Sequence, residues 1–89
     1  MTRVLQTTKQ FEKDVLLMKK RGKSTDKLRE VLDILSKEGS LPPKYRNHKL
    51  LGTFKNRHEC HIEPDWLLIY FIDDAILRLE RTGTHSDLF

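Results

Sequence analysis

Eighty-nine residues make one small domain, 1–89, whose core has to be compact. An apolar fraction of 37% beside a charged fraction of 34% argues against a disordered chain and for a folded one. Seventeen Lys and Arg against thirteen Asp and Glu leave a net charge of +4, which favours an anionic partner, nucleic acid first.

The chain opens with a short strand candidate, Arg3 to Gln6, around Val4 and Leu5. Thr7 and Gln10 then stand at capping-box spacing, so the spacing predicts a helix start there. Phe11, Val15 and Met18 recur at helical spacing, with Leu16 and Leu17 widening the apolar stripe. Lys19, Lys20 and Arg21 oppose the negative helix end, and Gly22 supplies the turn out of it.

Ser24, Thr25 and Asp26 are capping residues for a second helix. Its apolar face is Leu28, Val31, Leu32 and Leu35, and Gly39 ends it. The short link from Gly22 to Ser24 predicts an antiparallel helical hairpin.

Ser40 to Lys49 is a proline-containing loop whose polar end carries Lys44, Arg46, His48 and Lys49. After it the period changes from helical to strand-like. Leu50 to Phe54 is a strand candidate and Lys55 to Arg57 a turn. From His58 to Glu63 the residues alternate: Cys60 and Ile62 share one face, and Glu59, His61 and Glu63 the other, solvated one.

Pro64 and Asp65 fit a tight turn. Trp66 to Ile72 is apolar on both faces, as in a central strand covered on two sides. After Asp73 and Asp74 the pattern alternates again from Ala75 to Thr82. Ala75, Leu77, Leu79 and Arg81 form one face of that strand, and Gly83 breaks it. The expected fold class is α+β, with a short N-terminal strand and a helical hairpin packed on a mostly antiparallel, twisted sheet.

Cys60 is the only cysteine, so an internal disulfide is impossible and a reducing, cytoplasmic setting is expected. No apolar run is long enough to span a membrane, and the start lacks a signal-peptide pattern.

The chemistry gathers towards the end of the chain. Cutting RNA without a metal needs one group to take the proton of the ribose 2′-hydroxyl and another to protonate the leaving 5′ oxygen. It also needs a cation or hydrogen-bond donors for the charge that builds on phosphorus. His48, His61, Asp65 and His85 are the proton-transfer candidates, and Arg81 is the candidate phosphate clamp. In a three-strand meander the third strand runs parallel to the first, which would bring Arg81 to the sheet edge of His61.

Each residue also has a plainer reading. Taken alone, His61 reads rather as a solvated strand residue and Trp66 as core or rim packing, while Asp65 also fits a turn former and Arg81 a partner for Glu80 or another surface carboxylate. His58, on the Cys60 face, reads as structural. A zinc site built on His61, Asp65 and His85 has no HExxH helix and no cysteine pair behind it, so no metal and no cofactor are expected. Lys9, Lys13, Lys19, Lys20 and Arg21 form either a grip for ribosomal RNA or an ordinary solvated helix face.

Three strings carry a family resemblance: N-H-K-L at Asn47 to Leu50, H-I-E-P-D-W-L-L-I-Y at His61 to Tyr70, and L-E-R-T-G-T-H-S-D-L-F at Leu79 to Phe89. With the helical hairpin before them, the chain resembles the YafQ branch of the RelE/ParE superfamily of toxin–antitoxin systems over nearly its whole length. That resemblance implies a RelE-like fold and a metal-independent endoribonuclease that cuts messenger RNA in the ribosomal A site. It implies an active-site set of His48, His61, Asp65, Trp66, Arg81, His85 and Phe89.

In the expected division of labour, His85 is the general acid and Asp65 or His61 the base or its orienter. Arg81 holds the phosphate and His48 assists. Trp66, Phe89, Arg46 and Lys49 contact RNA. The implied partners are a cognate antitoxin, the ribosome and its message, and operator DNA only through the antitoxin complex, with no membrane. Two alternatives stand beside this: a ParE-like gyrase-inhibiting toxin, which would generally lack this His/Asp/Arg set, and a catalytically inactive antitoxin-binding module.

Overall fold

The computed structural model describes residues 3–50 and 57–89. In chain order the elements are β1 (Val4–Thr7), α1 (Lys9–Lys20), α2 (Thr25–Glu38), a 3-10 turn (Pro43–Tyr45), β2 (His48–Lys49), β3 (Arg57–Glu63), β4 (Trp66–Ile72), β5 (Ile76–Gly83) and α3 (His85–Leu88). The expected strand from Leu50 to Phe54, and the turn after it, lie largely outside the described residues. At Leu50, the last described residue before them, the N–H donates to Arg57 O at 2.9 Å and extends the pairing of β2 with β3.

Among the described residues one five-stranded sheet forms, in the order β1-β5-β4-β3-β2. β1 runs parallel to β5, and the other neighbours are antiparallel. This is the expected α+β arrangement. The two helices occupy the connection that any parallel pair requires. α1 packs over β5 and α2 over β3.

β1 extends one residue further than the spacing predicts, because Thr7 still pairs with Leu79. The helix cap therefore moves from Thr7 to Thr8, whose hydroxyl accepts from the Phe11 N–H at 3.0 Å. On α1, Phe11 and Met18 are buried, but Leu16 and Leu17 are 60% and 40% exposed, so the stripe is narrower than expected. Asp14 takes the third buried position instead. On α2, Leu28, Val31 and Leu35 are buried, and Gly39 closes the helix in the left-handed conformation at φ 78°.

Cys60, Ile62, Leu68, Tyr70, Leu77 and Leu79 meet the helices in one apolar cluster. β4 is covered on both faces, and Trp66 through Tyr70 are all buried. Burial pushes the Cys60 thiol up to about 12.

Two irregularities in the sheet set the site. Between His61 and Glu63 the β3 register shifts, leaving Ile62 as the extra residue. In β5 the shift falls at Glu80: Leu79 pairs with Tyr70, but Arg81 pairs with Ile69. The bulge corrects the simple alternation. Thr82, not Arg81, returns to the core side with Leu79, and Arg81 turns to the opposite face.

Candidate active site

Strand register brings Glu59, Ile69 and Arg81 into one row across β3, β4 and β5, with His61, Leu67 and Gly83 as the next row on the same face. Arg81 therefore lies level with Glu59, two residues short of the expected alignment with His61.

Glu59 is only 6% exposed. Its Oε1 lies 3.4 Å from His48 Nε2 and 3.7 Å from His61 Nε2, so one buried carboxylate stands between two imidazoles. The other ring nitrogens face carbonyls: His48 Nδ1 is 3.3 Å from Arg46 O, and His61 Nδ1 is 3.2 Å from Pro64 O. A carbonyl only accepts, which fixes a proton on each Nδ1 and turns each Nε2 towards Glu59.

His85 begins α3, and its backbone N–H and its Nδ1 both meet Asp65 Oδ1, at 3.0 and 2.6 Å. Those two hydrogen bonds hold the Asp65 carboxyl below the usual range. His85 Nε2 is left for chemistry, and the ring stands 5.7 Å from that of His61, tilted by 52°.

The short helix that carries His85 is fixed at its own start. Thr84 and Asp87 form a reciprocal capping box. Asp87 also takes Arg21 Nη1 at 2.6 Å and Nη2 at 3.2 Å, which ties the tail to the end of α1 and commits one of the helix cations to an intramolecular pair.

Arg81 is held by α1. Its Nε donates to Asp14 Oδ2 at 2.7 Å and its Nη2 to Asp14 Oδ1 at 3.3 Å, while the Thr82 N–H and Gln10 amide complete the shell around that carboxylate. Among the described residues, no hydrogen bond joins Arg81 to the histidines.

Asn47 anchors the segment before His48. Its amide donates to the Tyr70 hydroxyl and its Oδ1 lies 3.3 Å from His58 Nδ1, with the His58 ring stacked on Tyr70. Burial and the neighbouring Lys49 push the His58 imidazole down, in keeping with its structural reading.

His48, His61, Asp65 and His85 thus come together, joined by Glu59. Trp66 does not offer itself for stacking: it is 1% exposed, and its indole N–H donates to Thr82 Oγ1 at 2.9 Å. The expected RNA contact at Trp66 is corrected to a core role, because the indole has no accessible face. Phe89 is 64% exposed at the end of α3, and Arg46 and Lys49 are exposed on the loop side.

Glu59, Asp14 and Asn47 were not legible as site residues. Glu59 shares a strand face with His61, and Asp14 interrupts the Phe11-to-Met18 stripe. Those two placements are the signals available in the chain. Among the described residues no group of three His, Cys, Asp or Glu side chains converges in a way that could hold a metal ion.

Residues 3–89 match the family described as "Bacterial toxin of type II toxin-antitoxin system, YafQ". The chain belongs to the YafQ toxin family. It is 46% identical over 81 residues to the mRNA interferase toxin YafQ of Escherichia coli K12, a span covering 90% of this chain and 88% of that protein. The crystal structure of the E. coli DinJ–YafQ toxin–antitoxin complex matches at a TM-score of 0.92 and 42% identity, covering 100% of this chain and 99% of that one. A metal-bound toxin from Helicobacter pylori matches at 0.90 and 41% identity, with both chains fully covered. No helix among the described residues of this YafQ-family toxin is long and apolar enough to cross a membrane.

Proposed function

We propose that this YafQ-family toxin is an endoribonuclease that enters the ribosomal A site and cuts the message there, inhibiting translation. The observation that carries the reading is two imidazoles with rings 5.7 Å apart that each meet a carboxylate, His85 through Nδ1 on Asp65 and His61 with Nε2 beside Glu59.

The chemistry follows from the tautomers. With its Nδ1 proton on Pro64 O, His61 has a lone pair on Nε2 to take the proton of the 2′-hydroxyl. Glu59 beside it then stabilises the imidazolium that forms. The freed 2′ oxygen attacks phosphorus and the bond to the 5′ oxygen breaks. His85, held by Asp65 through Nδ1, gives that oxygen its proton from Nε2. The products are a 2′,3′-cyclic phosphate and a free 5′-hydroxyl.

Asp65 is thus the orienter and not the base, since its oxygen is committed to His85. Arg81, aimed by Asp14, supplies positive charge for the phosphate, and His48, on the same Glu59 carboxylate as His61, assists beside it. No metal takes part in this scheme. Phe89 and Lys49 contact the message.

The relatives also support the reading: one bears the name mRNA interferase, and one was crystallised with the antitoxin DinJ. The partners proposed for this chain are a cognate antitoxin, the ribosome and messenger RNA, with operator DNA reached only through the antitoxin, in the cytoplasm.

Primer extension on a defined message, with and without programmed ribosomes, tests this. Cuts at A-site codons only with ribosomes, lost in His85→Ala and unaffected by a zinc and copper chelator that spares ribosomal magnesium, are expected. No cuts in either arm would discard the enzymatic reading and direct the next assay to DNA gyrase.

A further inference from the structure

Two clefts of about 190 Å³ each lie side by side, and Lys44 and Ile62 line both. The first reaches α2 at Lys27 and Glu30, and the second reaches His61. Together they make one groove that begins on α2 and opens on an imidazole of the site.

The charge in this groove is not balanced internally. Of its two acidic wall residues, Glu30 lies at the α2 end, and Glu63, beside His61, is already taken by Lys23 at 3.1 Å and Lys27 at 2.6 Å. Among the described residues no carboxylate pairs with Lys44 or Arg46. Lys44 instead lies over the Tyr45 ring, 5.0 Å from its centre.

Arg46 adds an independent observation. At φ 49° it is the one residue other than glycine with positive φ among those described. Glycine or asparagine fills that conformation at lower cost, so the backbone alone gives no reason for an arginine there. Its carbonyl faces His48 Nδ1, and its exposed side chain lines the groove.

We infer that the groove takes the sugar–phosphate backbone of the RNA strand on one side of the scissile linkage, with Arg46 and Lys44 each on a phosphate. This rests on the endonuclease reading given above. A guanidinium fork and a mobile ammonium are suited to phosphate oxygens, and backbone contacts position a strand without reading its sequence. Continuity with His61 favours nucleic acid over an acidic peptide, because the strand bearing the reacting phosphate has to leave the site along a path.

The test uses full-length toxin and messages on programmed ribosomes, each message carrying one uncharged methylphosphonate at one of the two linkages on either side of the cut. Arg46→Gly is expected to raise the toxin concentration for half-maximal cutting by about fivefold to tenfold. Its Tm should not fall, since glycine relieves the left-handed backbone.

One neutral linkage should weaken the wild type by a similar factor and leave Arg46→Gly no weaker than before. Lys44→Ala should show the same coupling at a neighbouring linkage. Equal losses in wild type and variants at every linkage, as a contact with ribosomal RNA would give, overturn the assignment, and so does no loss in either variant. A wild type that cuts no unmodified message would sink the endonuclease reading itself, before any variant is compared.

Discussion

Asp14 on α1 holds Arg81 on β5 by two contacts, Oδ2 to Nε at 2.7 Å and Oδ1 to Nη2 at 3.3 Å, and the same carboxylate accepts the Thr82 N–H at 3.2 Å. A helix packed on one part of the sheet therefore aims the cation that the proposed mechanism places on the phosphate. Asp14→Ala would leave a guanidinium and a backbone donor short of their acceptor. The expected cost is about 2 kcal/mol, seen as a lowered urea midpoint. Message cutting should fall about tenfold, and an Arg81→Ala, Asp14→Ala double variant should cut no more slowly than Arg81→Ala alone.

Glu59 is the acidic link between His48 and His61. Glu59→Gln keeps its shape and removes its charge, so the fold should survive while the imidazolium on His61 loses its counterion. We expect cutting to drop about a hundredfold with a near-native Tm. A rate within twofold of wild type would remove Glu59 from the mechanism.

The docking of α3 should be acid-sensitive. Arg21 and the Thr84 N–H hold the Asp87 carboxyl far below its usual range, and His85 holds that of Asp65 below it. Carboxylates depressed in the folded state contribute stability above their unfolded value, near about 4, and lose it as pH falls through the folded one. Hydrogen exchange of the His85–Phe89 amides should show undocking beginning below about pH 4. Arg21→Ala removes a partner that is itself exposed, so it should raise the pH at which undocking begins and slow cutting at neutral pH.

Gly83 is required by close approach. A Cβ at this position would stand 2.9 Å from Asp87 Cβ and 3.1 Å from its Oδ2. Both atoms belong to the capping box that starts α3, so Gly83→Ala must push the helix and His85 with it. A loss of about 1–3 kcal/mol in urea unfolding is expected, with slower cutting that Gly83→Ser does not restore. Native-like cutting by Gly83→Ala would mean that α3 moves without consequence for the acid.

The sequence by itself determined the class and the elements α1, α2, β3, β4 and β5, whereas β2 and α3 fall in stretches that read as loop and polar tail. Helical spacing marked Phe11 and Met18 and the Leu28-to-Leu35 face, and near-continuous apolar character marked β4, because burial imposes its period directly on residue type. It also marked His48, His61, Asp65, Arg81 and His85 as candidates, because imidazoles, a carboxylate and a guanidinium are the groups that phosphodiester cleavage requires.

The tertiary structure alone decided how these residues meet. Bulges at Ile62 and Glu80 shift the register, and so choose the face on which Arg81 emerges. No local pattern encodes a shift that depends on the partner strand. The same holds for Asp14, Glu59 and Asn47. As single residues they are ordinary polar positions, and each gains its place in the site only when a distant element supplies the partner that makes its burial or its hydrogen bond favourable.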